Sequence, residues 1–184
     1  MNAGVTAGER FRSWSDIQAN AARAAGGLAA CGVGENDCIA LMLRNDFATF
    51  EVNMAASQLG AYAVPINWHF TPEEAGYILG DCAAKVLVAH TDLLAQIAAG
   101  VPEGVRVFAV PTPDEIAAAY NVPADKRAVP AGAERWDDFV AASAPRSAPP
   151  AAARGSMIYT SGTTGRPKGV RRQPSSPEQM AAAA

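Results

Sequence analysis

The chain has 184 residues, a formal charge of -3 at pH 7, 49% hydrophobic residues and 18% charged ones. That composition describes a globular chain rather than a disordered one, either one domain or part of a larger one. The acidic balance argues against nucleic acid as a partner, because such binding needs a basic field across a whole face.

No apolar run approaches the ~18 residues of a membrane span. The N-terminal stretch MNAGVTAGERF lacks a basic region followed by an apolar one, so the expected location is the cytoplasm. Cys31, Cys38 and Cys82 form no CxxC pattern, and His69 and His90 have no partner at ligand spacing. Neither a disulfide framework nor a protein-held metal is expected, and Cys31 and Cys38 read as inert core thiols.

SWSDIQANAARAAGGLAACG predicts a helix opened by Ser13, with Asp16 as an imperfect capping box, Ile17, Ala21, Ala24 and Leu28 on one face, and Gly32 as the stop. CIALML, residues 38–43, predicts a short strand buried on both faces. A second helix follows over 45–60, with Phe47, Phe50, Val52, Met54, Ala55 and Leu59 as its apolar surface, and AYAVPI is the next strand.

TPEEAGYILG has Thr71 as N-cap, Pro72 at the first helical position, Glu74 completing the box and Gly80 at the end. KVLVA, TDLLAQIAAG and VRVFAV continue the alternation of strand and helix. Short helices are expected at 114–120 and 136–142. The pattern is that of an α/β fold with a largely parallel sheet and helices on both faces.

SAPRSAPPAAARG, residues 143–155, is rich in Pro and Ala and reads as a linker between an α/β portion at 1–142 and a loop-bearing segment at 156–184. SMIYT is the strand that delivers the loop. Ser176, Pro177 and Gln179 then form another helix start, whose one or two turns before Ala184 have little stability alone. The expectation is a chain that lacks the remainder of its own fold.

The loop itself is YTSGTTGRPKGV, residues 159–170. Ser161, Thr163 and Thr164 supply hydroxyl donors. Gly162 and Gly165 permit close backbone approach, so N-H groups and side chains can converge on one anion. Lys168 adds a mobile positive charge behind the restricted Pro167. The P-loop of NTPases is excluded, since Pro167 stands where its second glycine would fall and Gly169, not Ser or Thr, follows Lys168. The dinucleotide fingerprint G-x-G-x-x-G is absent as well.

YTSGTTGRPKGV resembles the signature loop of the AMP-forming acyl-activating enzymes: acyl-CoA synthetases, peptide-synthetase adenylation domains and luciferases. The resemblance extends through FRSWSDIQANAARAAGGLAACGV, DCIALMLRNDFATFEVNMAASQLGAYAVPIN and TPEEAGYILGDCAAKVLVA, in the family's order. It implies the incomplete N-terminal part of the large domain of an acyl-CoA synthetase-like fold. It further implies an enzyme that activates a carboxylic acid with ATP and transfers the acyl group to CoA. Thr160, Ser161, Gly162, Thr163, Thr164, Gly165 and Lys168 would contact the β- and γ-phosphates, and Mg2+ would arrive with the nucleotide.

PIN followed by WHFTPEE looks more like the free-standing synthetases than the peptide-synthetase domains, which commonly carry Asp where this chain has Asn67. After KGV the family often shows Ser or Thr and then His, whereas Gln173 and Pro174 follow here, so no acyl-pocket histidine is carried over. The adenine site, the acyl pocket and the C-terminal lysine are not among these residues, and the chain alone is expected to be inactive. An adenylation domain that loads a carrier protein and a non-catalytic nucleotide-binding module remain as alternatives. Trp68, His69 and Phe70 read as a packed aromatic turn.

Overall fold

The computed structural model describes residues 3–146, 148, 152, 154–160 and 166–171. An antiparallel hairpin, β1 (Gly4–Ala7) and β2 (Arg10–Ser13), leads into α1 (Trp14–Ala30). Ser13 caps that helix, its hydroxyl accepting from the Asp16 N-H at 3.1 Å. The expected face of Ile17, Ala21, Ala24 and Leu28 is fully buried.

Beyond α1 the chain alternates as predicted: β3 (Cys38–Met42), α2 (Phe47–Leu59), β4 (Tyr62–Pro65), α3 (Pro72–Asp81), β5 (Ala84–His90), α4 (Thr91–Ile97), β6 (Arg106–Val110). Then come α5 (Asp114–Ala119), the two-residue strand β7 (Glu134–Arg135) and α6 (Trp136–Ala142). Strands β3 to β7 form one parallel sheet in the order β4-β3-β5-β6-β7. Alternate strand residues feed two cores. Ile39, Leu41, Val86, Val88 and Phe108 pack beneath α1, α2 and α6, and Ala40, Met42, Leu87 and Ala89 beneath α3 and α4. Helices therefore cover both faces, as the apolar strands required.

The capping box of α3 is present: Glu74 N-H donates to Thr71 Oγ1, and Thr71 N-H donates back to Glu74 Oε2 at 2.9 Å. The helix runs one residue past Gly80 to Asp81, and Ala83 takes the left-handed turn at φ 51°. Two elements carried no sequence signal: the β1-β2 hairpin and β7. In α2 the apolar reading placed Phe50 inside, but Phe50 is 37% exposed and Glu51 is 1% exposed. The reason is pairing. Glu51 accepts from Arg12 at 2.5 Å, from Asn20 at 2.8 Å and from the Trp136 indole at 3.0 Å, so its charge is satisfied beneath α1 and α6.

Among the described residues no helix is long and apolar enough to cross a membrane. Beyond the 143–155 stretch the chain returns to the same sheet. Met157 N-H donates to Ala63 O at 2.9 Å, and Ser156 bridges to Ala63 in parallel at the free edge of β4.

Candidate functional site

β8 (Ile158–Thr160) and β9 (Lys168–Val170) pair antiparallel with Ile158 opposite Val170, Tyr159 opposite Gly169, and Thr160 opposite Lys168. Thr160 and Lys168 are thus the last ladder pair and close the loop 161–167 at its neck. Side chains of facing residues share one side of a hairpin. Thr160 and Lys168 are both exposed there, above Ile158 and Val170. The other five predicted phosphate contacts, Ser161, Gly162, Thr163, Thr164 and Gly165, lie outside the described residues, as do Gln173, Pro174 and the helix start at Ser176.

The opposite side of the hairpin is docked on α3. Tyr77 donates its hydroxyl to Pro167 O at 3.2 Å, and the Arg166 guanidinium lies 5.3 Å from the Tyr77 ring centre. Tyr159 donates to Asp81 Oδ2 at 2.5 Å. Burial and that carboxylate push the Tyr159 phenol above its ordinary pKa, which keeps it a donor. A cavity of about 270 Å³ remains between Glu73, Glu74, Tyr77, Arg166 and Pro167.

Gly169 sits in tight space, beside the flexible tip of Met157 and the ring of Tyr159. A Cβ built there would fall 2.1 Å from Met157 Cε and 2.8 Å from Tyr159 Cζ. Gly169→Ala is expected to lift the hairpin off α3 and to cost about 1–2 kcal/mol, the range of mild overpacking. Urea unfolding of the variant would show it as a lower midpoint at unchanged slope.

A second polar centre, which the sequence did not announce, sits at the carboxyl ends of the strands. Strand order reverses there, because β3 connects outward to β4 and the chain then crosses back to β5. Doubly wound sheets usually leave a crevice at such a point. Here it is filled. Arg44 donates from Nη1 to Asp92 Oδ1 at 3.0 Å and from Nη2 to Asp92 Oδ2 at 2.7 Å, with the two side chains 8% and 7% exposed. Thr112 donates to Asp92 Oδ1 at 2.6 Å, and the Arg44 backbone N-H donates to His90 Nδ1 at 3.1 Å.

His90 Nε2 faces Asp46 Oδ2 at 3.5 Å, and Arg10 bridges Asp46 to Glu115 at 2.8 and 2.6 Å. The signal available in the sequence was the run His90-Thr91-Asp92 at a strand end, where polar residues need partners. Of the aromatic turn, Trp68 and Phe70 pack against the core and His69 is exposed; the Trp68 ring meets Tyr120 edge-on at 5.3 Å, with the Arg44 guanidinium over both rings.

Burial would raise the Asp46 carboxyl, but His90, the Phe47 N-H and Arg10 outweigh it and hold the pKa at about 2. Since the folded value lies below the unfolded one of about 3.9, the contribution of Asp46 to stability is complete above about pH 4 and fades towards pH 2. Asp46→Asn should therefore flatten the fall in urea midpoint across that window, and an unchanged acid profile would contradict the pairing.

The mostly parallel sheet with helices on both faces is the fold of the N-terminal part of solved acyl-CoA ligases. The solved anthranilate CoA ligase AuaEII in complex with anthranoyl-AMP superposes with a TM-score of 0.72 at 24% identity, over 92% of this chain and 31% of that one. The chain belongs to the AMP-binding enzyme family, which matches residues 3–174. Among curated relatives it is 34% identical to the medium/long-chain-fatty-acid–CoA ligase FadD6 of Mycobacterium tuberculosis, across 88% of this chain and 25% of the relative. It is 33% identical to the feruloyl-CoA synthase of an Amycolatopsis species, across 86% and 27%. The chain thus spans about a quarter of the length of these relatives.

Proposed function

We propose that the chain contributes the pyrophosphate-handling part of an AMP-forming acyl-CoA synthetase. Such an enzyme joins a carboxylate to the α-phosphorus of ATP, releases pyrophosphate, and passes the acyl group to CoA. The carrying observation is the family match combined with the Thr160-Lys168 pair at the neck of the SGTTGRP loop.

The leaving pyrophosphate gathers negative charge as its bond to the α-phosphorus breaks, and donors already in place lower that barrier. Lys168 supplies a cation whose backbone is fixed by the ladder. Thr160 supplies a hydroxyl on the same side. Ser161, Gly162, Thr163, Thr164 and Gly165 supply the remaining donors in this reading. Docking on Tyr77 and Asp81 holds the neck of the loop against α3, so the positions of Thr160 and Lys168 are set before nucleotide arrives.

Among the described residues no three His, Cys, Asp or Glu side chains gather as a metal site. In this reading Mg2+ enters bound to the ATP. In this reading 1–142 is the α/β subdomain, 143–155 a linker and 156–184 the loop-bearing arm. Work in the cytoplasm and the need for the rest of a synthetase belong to the same proposal.

The test is the complete gene product assayed with ATP, CoA and a panel of short, long and aromatic acids. Pyrophosphate release coupled to acyl-CoA formation is the expected result, and the 184 residues alone should give none above background. A complete protein that releases no pyrophosphate with any acid overturns the reading.

A further inference from the structure

Lys168 stands between two residues that the rest of the fold holds. Before it, Pro167 O accepts from the Tyr77 hydroxyl at 3.2 Å. After it, Gly169 lies across the ladder from Tyr159, whose hydroxyl donates to Asp81 Oδ2 at 2.5 Å. Tyr77 and Asp81 are four residues apart on α3, so both grips come from one face of one helix.

Helix α3 has little room to move in its turn. Ala75, Ile78 and Leu79 are buried in the second core. Gln96 Nε2 donates to Phe70 O at 2.9 Å, which ties the turn before the helix to α4. A different face of α3 rests on the short turn Ala98–Gly100. A Cβ built on Gly76 would fall 2.4 Å from Gly100 O, and one built on Gly100 would fall 1.9 Å from Pro72 O. Backbone atoms fill both places, so neither glycine can gain a side chain unless the helix and the turn separate.

We infer that α3 is the positioning element of the phosphate loop, with Tyr77 and Asp81 as positioning residues that act on the reaction through Lys168, and the Gly76-Gly100 contact as the seat that places them. The inference rests on the pyrophosphate reading above and adds the means by which residues outside the loop set its effect.

The physical reason lies in the size of the hairpin. Strands of three residues make a marginal pair by themselves, so the contacts with α3 decide where the Lys168 backbone stands. A fixed charge helps a departing anion only if it already stands where that charge develops. Misplacement by about 1 Å can cost about 100-fold, although nothing at the reacting atoms has changed.

The two grips can be removed without disturbing what surrounds them. Tyr77→Phe deletes the bond to Pro167 O and keeps the ring that carries the Arg166 guanidinium at 5.3 Å. Asp81→Asn keeps an oxygen that accepts from Tyr159, whereas Asp81→Ala does not.

The experiment measures single-turnover formation of the acyl-adenylate in the complete enzyme. Tyr77→Phe, Asp81→Ala and Gly76→Ala should each slow it by about tenfold, with KM for the carboxylic acid unchanged. Asp81→Asn should recover most of what Asp81→Ala loses. The Lys168→Ala background separates positioning from general destabilisation. Once the lysine is gone its placement no longer matters, so Tyr77→Phe should then cost no more than about twofold, whereas a merely weakened fold would lose the same tenfold in both backgrounds. Equal losses in the two backgrounds overturn the inference, and so does a parental rate in Tyr77→Phe or in Gly76→Ala. Those results leave the pyrophosphate reading standing as long as Lys168→Ala alone is slow; an unaffected Lys168→Ala defeats that reading itself.

Discussion

In the complete enzyme, Lys168→Ala is expected to slow acyl-adenylate formation by about 100-fold, the effect of removing one preorganised donor from a developing anion. Geometry makes the experiment clean. Lys168 pairs with Thr160 through its backbone, and its side chain is exposed, so alanine leaves the ladder and the docking of Tyr77 on Pro167 intact. Stability should stay within about 0.5 kcal/mol, as for other surface substitutions away from special contacts.

The loss should appear in single-turnover rates with little change in the affinity for the carboxylic acid. Lys168→Arg should recover only part of it, because a planar fork replaces a compact charge. Thr160→Val should cost less than Lys168→Ala, since the hydroxyl it removes brings no charge of its own to the phosphate. Unchanged single-turnover rates in Lys168→Ala would mean that the loop does not hold the leaving phosphates.

Why the sequence showed one polar centre and hid the other has a physical reason. The loop is continuous in the chain, so its hydroxyls, glycines and lysine can be read together. The Arg44, His90, Asp92 and Thr112 cluster is drawn from the ends of three strands, and only strand order brings them within hydrogen-bond reach.

The same distinction governs the elements. The α3 box and the face of α1 are local patterns and were legible. Phe50 and Glu51 were not, because the periodicity of α2 favours an apolar residue inside whereas Arg12, Asn20 and Trp136, all distant in sequence, make the carboxylate the better fit. Strand β7 is two residues paired to Phe108 and Ala109, too short for any alternation to register.

The strand-end cluster carries the largest stability prediction. Arg44→Ala should destabilise the fold by about 3–5 kcal/mol, because Asp92 would remain buried with its charge met only by Thr112. Part of the loss is packing, since the guanidinium covers the Trp68 and Tyr120 rings at 5.4 and 4.5 Å. Asp92→Leu alone should cost a similar amount, leaving an unpaired guanidinium in the same place.

The double variant Arg44→Met with Asp92→Leu should recover most of either loss, because neither charge is then left without its partner and both replacements are apolar. A double-mutant cycle from urea midpoints measures that recovery as a coupling energy. Acidity offers a second reading. Burial pushes Asp92 up, but Arg44 and Thr112 outweigh it and lower its pKa. Its contribution is therefore present above the ordinary carboxylate range and is lost as pH falls through its depressed value. In the double variant that part of the acid sensitivity should vanish. If the two single losses simply add, the pair is not acting as a unit, and the filling of the strand-end crevice must be credited to the aromatic rings instead.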